Sequence, residues 1–161
     1  MAGRPARGED RRQRAVRSLP ARPAPPRDRA PLPGRCQRQS LFGHSLGGLF
    51  ALHMLYTRPD AFEAIIAASP SIWWSDKAIL AEEKAFTDRL ASAKSAGPVS
   101  RLMFFVGEKD PMMIPADTEA LNTRLTALGL SSRFENFAGE THITVPYRAI
   151  TPTFRFVTEK R

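Results

Sequence analysis

One run constrains this chain more than any other: Ser40-Leu41-Phe42-Gly43-His44-Ser45-Leu46-Gly47-Gly48-Leu49-Phe50. A short apolar stretch leads into Gly43-His44-Ser45-Leu46-Gly47, and an apolar helical stretch follows. This is the G-x-S-x-G pattern of a nucleophile elbow, a sharp strand-to-helix turn with a serine at its apex. A serine hydroxyl is a weak nucleophile until it is held clear of the backbone and presented to a base. Gly43 and Gly47 are expected to leave room on either side for the turn to close. The N–H of Leu46 then opens a helix, where it can donate to a developing oxyanion. Five residues of this kind arise by chance in roughly one chain in twenty of this length, since glycine and serine are common. The weight comes from the strand before, the helix after, and small Gly48 where helix meets sheet. A glycine-rich turn cradling phosphate is the bland alternative.

Charge divides the chain in two. Residues 1–38 hold 11 of the arginines, no lysine and three acids, so they carry the entire net charge of +8. Residues 39–161 hold 13 basic and 13 acidic side chains, which cancel. Half of the 14 prolines also precede residue 39. Residues 1–37 have few large apolar side chains and no period of 2 or 3.6. They cannot bury enough surface to offset the entropy of ordering, and are expected to be disordered. An Arg-rich arm for nucleic acid or an anionic membrane is one reading. The segment makes a poor secretory signal, because no apolar core follows the basic start. Arg, Pro, Ala and Gly without Lys is also what GC-rich DNA yields in the wrong frame. The favoured expectation is therefore a frameshifted or miscalled start, with the genuine N-terminal half of the domain absent.

The lone cysteine, Cys36, excludes an internal disulfide and implies no oxidising compartment, so a cytoplasmic location is expected. No run approaches 18 apolar residues, so no membrane span is expected.

From residue 38 onward the pattern alternates. Residues 39–42 read as a buried strand and 46–57 as a helix stopped by Arg58-Pro59-Asp60. Phe62 to Ala68 reads as the next parallel strand. Ser69-Pro70-Ser71-Ile72-Trp73-Trp74 follows at its carboxyl end, where open α/β sheets bind ligands. Trp73 and Trp74 either wall a pocket for a bulky group or pack on the helix that follows. Ser75-Asp76 caps a long helix through about Ser95. Leu102 to Val106 is a strand, with Gly107-Glu108-Lys109-Asp110-Pro111 as its loop. Ala116 to Leu128 is a helix, Ser132 to Phe137 a strand, and Ala138 to His142 its loop. Val145 to about Val157 is a last helix that Pro152 kinks or splits. The β-α-β-α-β-α-β-α order predicts a parallel sheet flanked by helices.

Every chemically interesting group falls just after a strand: Ser45, Trp73, Asp110 and His142. A parallel sheet puts those loops on one edge. Ser45, then Asp110, then His142 is the triad order of α/β-hydrolases. His142 is placed as general base, since an imidazole can take a proton and return it near neutral pH. Asp110 is placed as the acid that orients His142, because it lies further from the strand than the alternative, Glu108. Asp117 is a third candidate, on the next helix. His53 reads as helix packing and His44 as a neighbour of the pocket. No metal-ligand spacing and no cofactor-binding glycine pattern occurs.

Arg38 through His53 resembles the elbow of the esterase family that includes the ferri-bacillibactin and enterobactin or salmochelin esterases. Ala68-Ser69-Pro70-Ser71-Ile72-Trp73-Trp74 resembles that family's second hallmark. Val106-Gly107-Glu108 and Gly139-Glu140-Thr141-His142 resemble its acid and histidine loops. The resemblance spans residues 38 to about 160. It implies the C-terminal half of an α/β-hydrolase sheet, a partial domain over 38–161, and a serine hydrolase of carboxylic esters. The best-known members cleave the ester backbone of catecholate siderophores. It makes Ser45 the nucleophile, His142 the base and the Gly107 loop the source of the acid, although some members rely mainly on a Ser-His pair. His44, Trp73 and Trp74 become substrate-binding candidates. The implied partner is a small-molecule ester, such as a ferric siderophore, with no cofactor, nucleic acid or membrane. Family members carry earlier strands and a loop with a second oxyanion donor, which residues 1–37 do not resemble.

Overall fold

The structure, a computed structural model, describes residues 39–92 and 98–159. The expectations for residues 1–37 therefore lie outside the described residues. Four strands form one parallel sheet in the order β1-β2-β3-β4. They are β1 (Ser40–His44), β2 (Ala64–Ala68), β3 (Arg101–Lys109) and β4 (Ser132–Thr141). Helix α1 (Leu46–Thr57) joins β1 to β2, and a one-turn α2 (Trp74–Lys77) with α3 (Ile79–Ser92) joins β2 to β3. Helix α4 (Ile114–Ala127) joins β3 to β4, and α5 (Val145–Thr158) closes the order.

The sheet separates two apolar cores by the period-2 alternation of its strands. Ile65, Ala67, Leu102 and Phe104 point to one face and meet Leu52, Leu55 and Tyr56 of α1 and Leu121 and Leu125 of α4. Ile66, Ala68, Met103 and Phe105 point to the other face and meet Val145, Ala149 and Phe156 of α5. All of β2, and β3 from Arg101 to Gly107, are buried. Strands covered on both faces need continuous small and branched apolar runs, which is what Ala64-Ile65-Ile66-Ala67-Ala68 supplies. Helix α3 packs on α1, where the Phe86 and Tyr56 rings sit 5.5 Å apart. A forked pair from Arg124 to Glu83, at 2.6 and 2.8 Å, ties α4 to α3.

Four local readings change. First, β3 and β4 run on through the stretches expected to be loops, as far as Lys109 and Thr141. Gly107 explains this. A Cβ there would meet the Glu140 carbonyl oxygen at 2.6 Å, so only glycine lets the two backbones stay this close. Across a register shift the ladder resumes with Lys109 opposite Thr141.

Second, Ser75-Asp76 does not cap the long helix. Ser75, Asp76 and Lys77 have φ of 50°, 52° and 61°, a left-handed turn, and the regular helix begins at Ile79. Lys77 Nζ on Asp117, at 2.8 Å, anchors that turn to α4. Third, Pro152 does not split α5, which continues as one helix to Thr158. The helix bond that Pro152 cannot donate would have gone to Arg148, an exposed residue whose carbonyl water can satisfy. Fourth, Gly47 is not the tight position of the elbow. A Cβ on Gly47 meets nothing within 4 Å, whereas one on Gly43 would lie 2.0 Å from the Gly47 carbonyl oxygen. Gly48 is tight as well, its Cβ position lying 3.0 Å from Pro70 Cα.

The two glycines of the pattern should therefore respond oppositely to alanine. Gly43→Ala forces backbone apart and should cost about 1–3 kcal/mol or more in urea unfolding. Gly47→Ala sits in the first turn of α1 with open space, and should be neutral or stabilising by up to about 1 kcal/mol. Equal losses at both positions would contradict this packing of the turn.

Candidate active site

Parallel strands deliver their next residues to one edge, and four of those residues make the site. Ser45 leaves β1 with φ 58° and ψ −118°, a conformation that costs an L-residue roughly 1–3 kcal/mol. Three backbone bonds hold it. The Ser45 N–H donates to Ala68 O at 3.0 Å, and the Ser45 carbonyl accepts from Leu49 N–H at 3.0 Å and Ser71 N–H at 3.1 Å. The strain lifts the hydroxyl off the end of β1 and leaves Leu46 as the first residue of α1.

Asp110 and His142 come from the ladder of β3 and β4. Lys109 and Thr141 are cross-strand partners, so the next residue on each strand is Asp110 and His142 respectively. His142 Nδ1 lies 2.8 Å from Asp110 Oδ1, and His142 Nε2 lies 2.9 Å from Ser45 Oγ. A carboxylate accepts, so Nδ1 carries the ring proton and Nε2 presents its lone pair to the Ser45 hydroxyl. The Asp110 side chain is fully buried, while the His142 side chain retains 22% of its exposure. Asp110 Oδ2 accepts two further bonds at 2.7 Å, from the Ser69 hydroxyl and the Gly107 N–H. The buried charge is thus met by three donors, which is what retaining it in ionised form requires.

The other sequence candidates separate from this group. Glu108 accepts from the Gly139 N–H at 2.6 Å and braces β3 against β4 instead of facing His142. Asp117 is paired with Lys77 on α4. His53 lies between helices, a half-exposed partner of Glu82 at 2.8 Å that links α1 to α3. Trp73 is half-buried, and its indole N–H has no acceptor among the described residues. Trp74 is 48% exposed and meets Trp73 edge-on at 5.6 Å. With Leu46, Leu49, Phe50 and Ile79, Trp74 lines an open groove of about 290 Å³ between α1 and the start of α3. Among the described residues no cluster of three or more His, Cys, Asp or Glu could hold a metal ion. No helix among them is long and apolar enough to cross a membrane.

His44 takes a place that the sequence reading did not give it. Its Nε2–H donates to the His142 carbonyl at 2.8 Å, and the two rings lie 4.6 Å apart at 42°. It props the residue that carries the imidazole. Ser69 and Ser71 stand in a run that the sequence marks as a ligand-binding edge, but nothing in it assigns either hydroxyl a role of its own. Ser69 is fully buried with φ 43°, and Ser71, 2% exposed, has its Oγ 3.3 Å from Ser45 Oγ. Two hydroxyls directly after an all-apolar strand, one strand over from the elbow, were the available signal.

Burial holds the His44 imidazole below the ordinary value of 6.5, and His142 opposite it pushes the same way. The hydrogen bond to the His142 carbonyl and the Asp110 carboxylate oppose that shift. The folded chain therefore resists a proton that the unfolded chain accepts. Stability is unaffected above pH 6.5 and falls as the pH drops from 6.5 through the lower folded value. His44→Gln keeps an N–H donor without a titratable ring. Between about pH 7 and about pH 5 its Tm should fall less than that of the wild type, by calorimetry. An identical fall in both proteins would remove His44 as the cause.

Residues 25–149 match the family model described as "Putative esterase". The siderophore enterobactin esterase of Emericella nidulans is 46% identical over 87 residues, 54% of this chain and 29% of the relative. The ferri-bacillibactin esterase BesA of Bacillus subtilis is 36% identical over 126 residues, 74% of this chain and 43% of the relative. Among solved structures, the siderophore hydrolase EstA from Aspergillus nidulans superposes with a TM-score of 0.67 at 32% identity, covering 74% of this chain and 48% of that one. The BES protein from Bacillus cereus gives 0.64 at 33% identity, covering 76% and 46%. The chain thus spans less than half the length of each of these four proteins. The fold is that of the α/β-hydrolase esterases over the part these proteins share. By the match over residues 25–149, the chain belongs to this esterase family.

Proposed function

We propose that this chain hydrolyses carboxylic esters with Ser45 as nucleophile, His142 as general base and acid, and Asp110 as the orienting carboxylate. The observation that carries the proposal is the unbroken relay from Ser45 Oγ to His142 to buried Asp110, at 2.9 and 2.8 Å. As Ser45 Oγ attacks the ester carbonyl, His142 Nε2 takes its proton. Asp110 stabilises the imidazolium that forms and keeps its proton on Nδ1. The Leu46 N–H, at the N-terminus of α1, faces the developing oxyanion. Collapse of the tetrahedral intermediate expels the alcohol, protonated by His142, and leaves Ser45 acylated. Water, activated by the same imidazole, then releases the acid and restores the hydroxyl.

The substrate class proposed is a small ester with bulky aromatic groups, such as the ester backbone of a catecholate siderophore. Two relatives named for enterobactin and bacillibactin support it. So does the groove lined by Leu46, the residue after Ser45, where Trp74 and Phe50 offer aromatic surface.

A fluorophosphonate probe and a chromogenic phenyl ester test the mechanism together. The full chain should be labelled at Ser45, and Ser45→Ala should be neither labelled nor active. Asp110→Asn should lower kcat by about 10⁴-fold, while Glu108→Gln, outside the relay, should stay near wild type. A wild type that resists the probe and releases no phenol would overturn the proposal. The reverse ranking of Asp110 and Glu108 would overturn the assignment of the acid.

A further inference from the structure

We infer that the turn Ser69-Pro70-Ser71 is a built part of the esterase machinery, with Ser71 assisting the nucleophile at its reacting oxygen and Ser69 positioning the acid. This rests on the hydrolase reading above and goes beyond it, because that reading uses neither serine. Both residues are buried: Ser69 completely, and Ser71 at 2% exposure. Buried hydroxyls need partners, and here the partners are the two ends of the relay.

The bonds form a closed circuit. From Ser45 the relay runs through His142 to Asp110. From Asp110 Oδ2 it returns by the Ser69 hydroxyl, along three residues of backbone, to the Ser71 hydroxyl on Ser45 Oγ. The direction of each bond is fixed by chemistry. The Asp110 carboxylate only accepts, so Ser69 donates. The Ser45 proton points at the lone pair of His142 Nε2, so at the 3.3 Å contact Ser71 is the donor. The turn is itself held at both ends. The Ser69 N–H donates to Phe105 O at 2.7 Å, and the Ser71 N–H to the Ser45 carbonyl at 3.1 Å. Pro70 restricts the backbone between them, and Gly48 lets the turn lie against α1.

The two hydroxyls act differently. Ser71 touches the oxygen that reacts. Before reaction its bond is long and neutral. When the Ser45 proton passes to His142, Ser45 Oγ becomes more negative and the same bond becomes charge-assisted, hence shorter and stronger. A contact that strengthens toward the transition state raises kcat rather than ground-state binding. The same donor serves when Ser45 Oγ departs in deacylation and recovers its proton from His142. Ser69 touches no reacting atom. It is a positioning residue that acts through Asp110, fixing the carboxylate so that Oδ1 remains aimed at His142 Nδ1. Its φ of 43° would suit glycine better, so serine is present at a conformational cost that its hydroxyl offsets.

Substitutions separate this role from plain packing. Ser71→Ala should lower kcat about tenfold, the equivalent of one hydrogen bond, with KM unchanged. Fluorophosphonate labelling of Ser45 should slow in proportion, and Ser71→Thr, which keeps the hydroxyl, should recover most of the rate. Ser69→Gly removes the hydroxyl while relieving the backbone, so its Tm reports a lost donor set against a relaxed turn. Its kcat should fall, and the low-field proton resonance of His142 Nδ1–H should shift. A merely structural serine would leave both kcat and that resonance alone. If the wild type is labelled and active but both variants keep its kcat and its resonance, the role of the turn falls and the hydrolase reading stands. An unlabelled, inactive wild type would bring down both.

Discussion

A fully buried carboxylate is the constraint around which this site is arranged. Left without donors in an apolar interior, the Asp110 charge would cost far more than a domain of this size has in reserve. The fold meets it from three directions: a ring nitrogen from β4, a backbone N–H from Gly107 and a hydroxyl from the end of β2. Remove any one and the other two do not replace it, because each occupies its own lone-pair direction. A group satisfied in this way has a fixed orientation, and that orientation propagates to the imidazole and from there to the serine hydroxyl. The geometry of the proposed nucleophile therefore depends on how well a side chain two residues along the relay is solvated by the protein.

The backbone makes that solvation possible. Asp110 and His142 meet because Lys109 and Thr141 are cross-strand partners, and those are partners because glycine at 107 lets β4 approach β3. Ser45 meets His142 because its own strained φ turns the hydroxyl off the end of β1, and because Gly43 permits the α1 carbonyls to close over that turn. Two close approaches of backbone, at residues 43 and 107, thus set the positions of three side chains drawn from three strands. The apolar cores on the two faces hold the strands in place, so that those positions coincide. They do not choose the site, but without Ile66, Phe105 and Val145 packed beneath it the edge would have no fixed frame.

Periodicity carried the architecture in the sequence, because strands buried on both faces must be continuously apolar and the helices between them must not be. The four strands, the long helices and their parallel order were legible on that ground. So was the meeting of Ser45, Asp110 and His142 at one edge, since each follows a strand in a βα unit. What was not legible depended on contacts between distant residues. Glycine at 107 reads as a loop signal locally, yet it extends two strands by admitting the Glu140 carbonyl. Ser75-Asp76 reads as a helix cap, but a Lys77 pair with Asp117 accompanies a left-handed turn there. His53 reads as helix packing, but its partner there, Glu82 of α3, is not visible in the sequence. Glu108 and Asp110 are nearly equivalent as text. Only the ladder shows that one turns toward Gly139 and the other toward His142.

Ser45 and Ser69 both hold positive φ without being glycine, and both stand at the carboxyl end of a strand on the same edge. Each such residue costs roughly 1–3 kcal/mol, so together they consume a substantial part of a marginal stability. What the pair achieves is proximity: one hydroxyl is lifted toward the imidazole, the other is pressed against the carboxylate, and a proline between Ser69 and Ser71 keeps the second turn from relaxing. Strain held on both sides of one hydrogen-bonded circuit limits the motions that would open it, since relaxing either serine must break a bond to a buried partner. That coupling converts conformational cost into a fixed distance between hydroxyl, imidazole and carboxylate, which is the requirement that proton transfer in ester hydrolysis places on any scaffold.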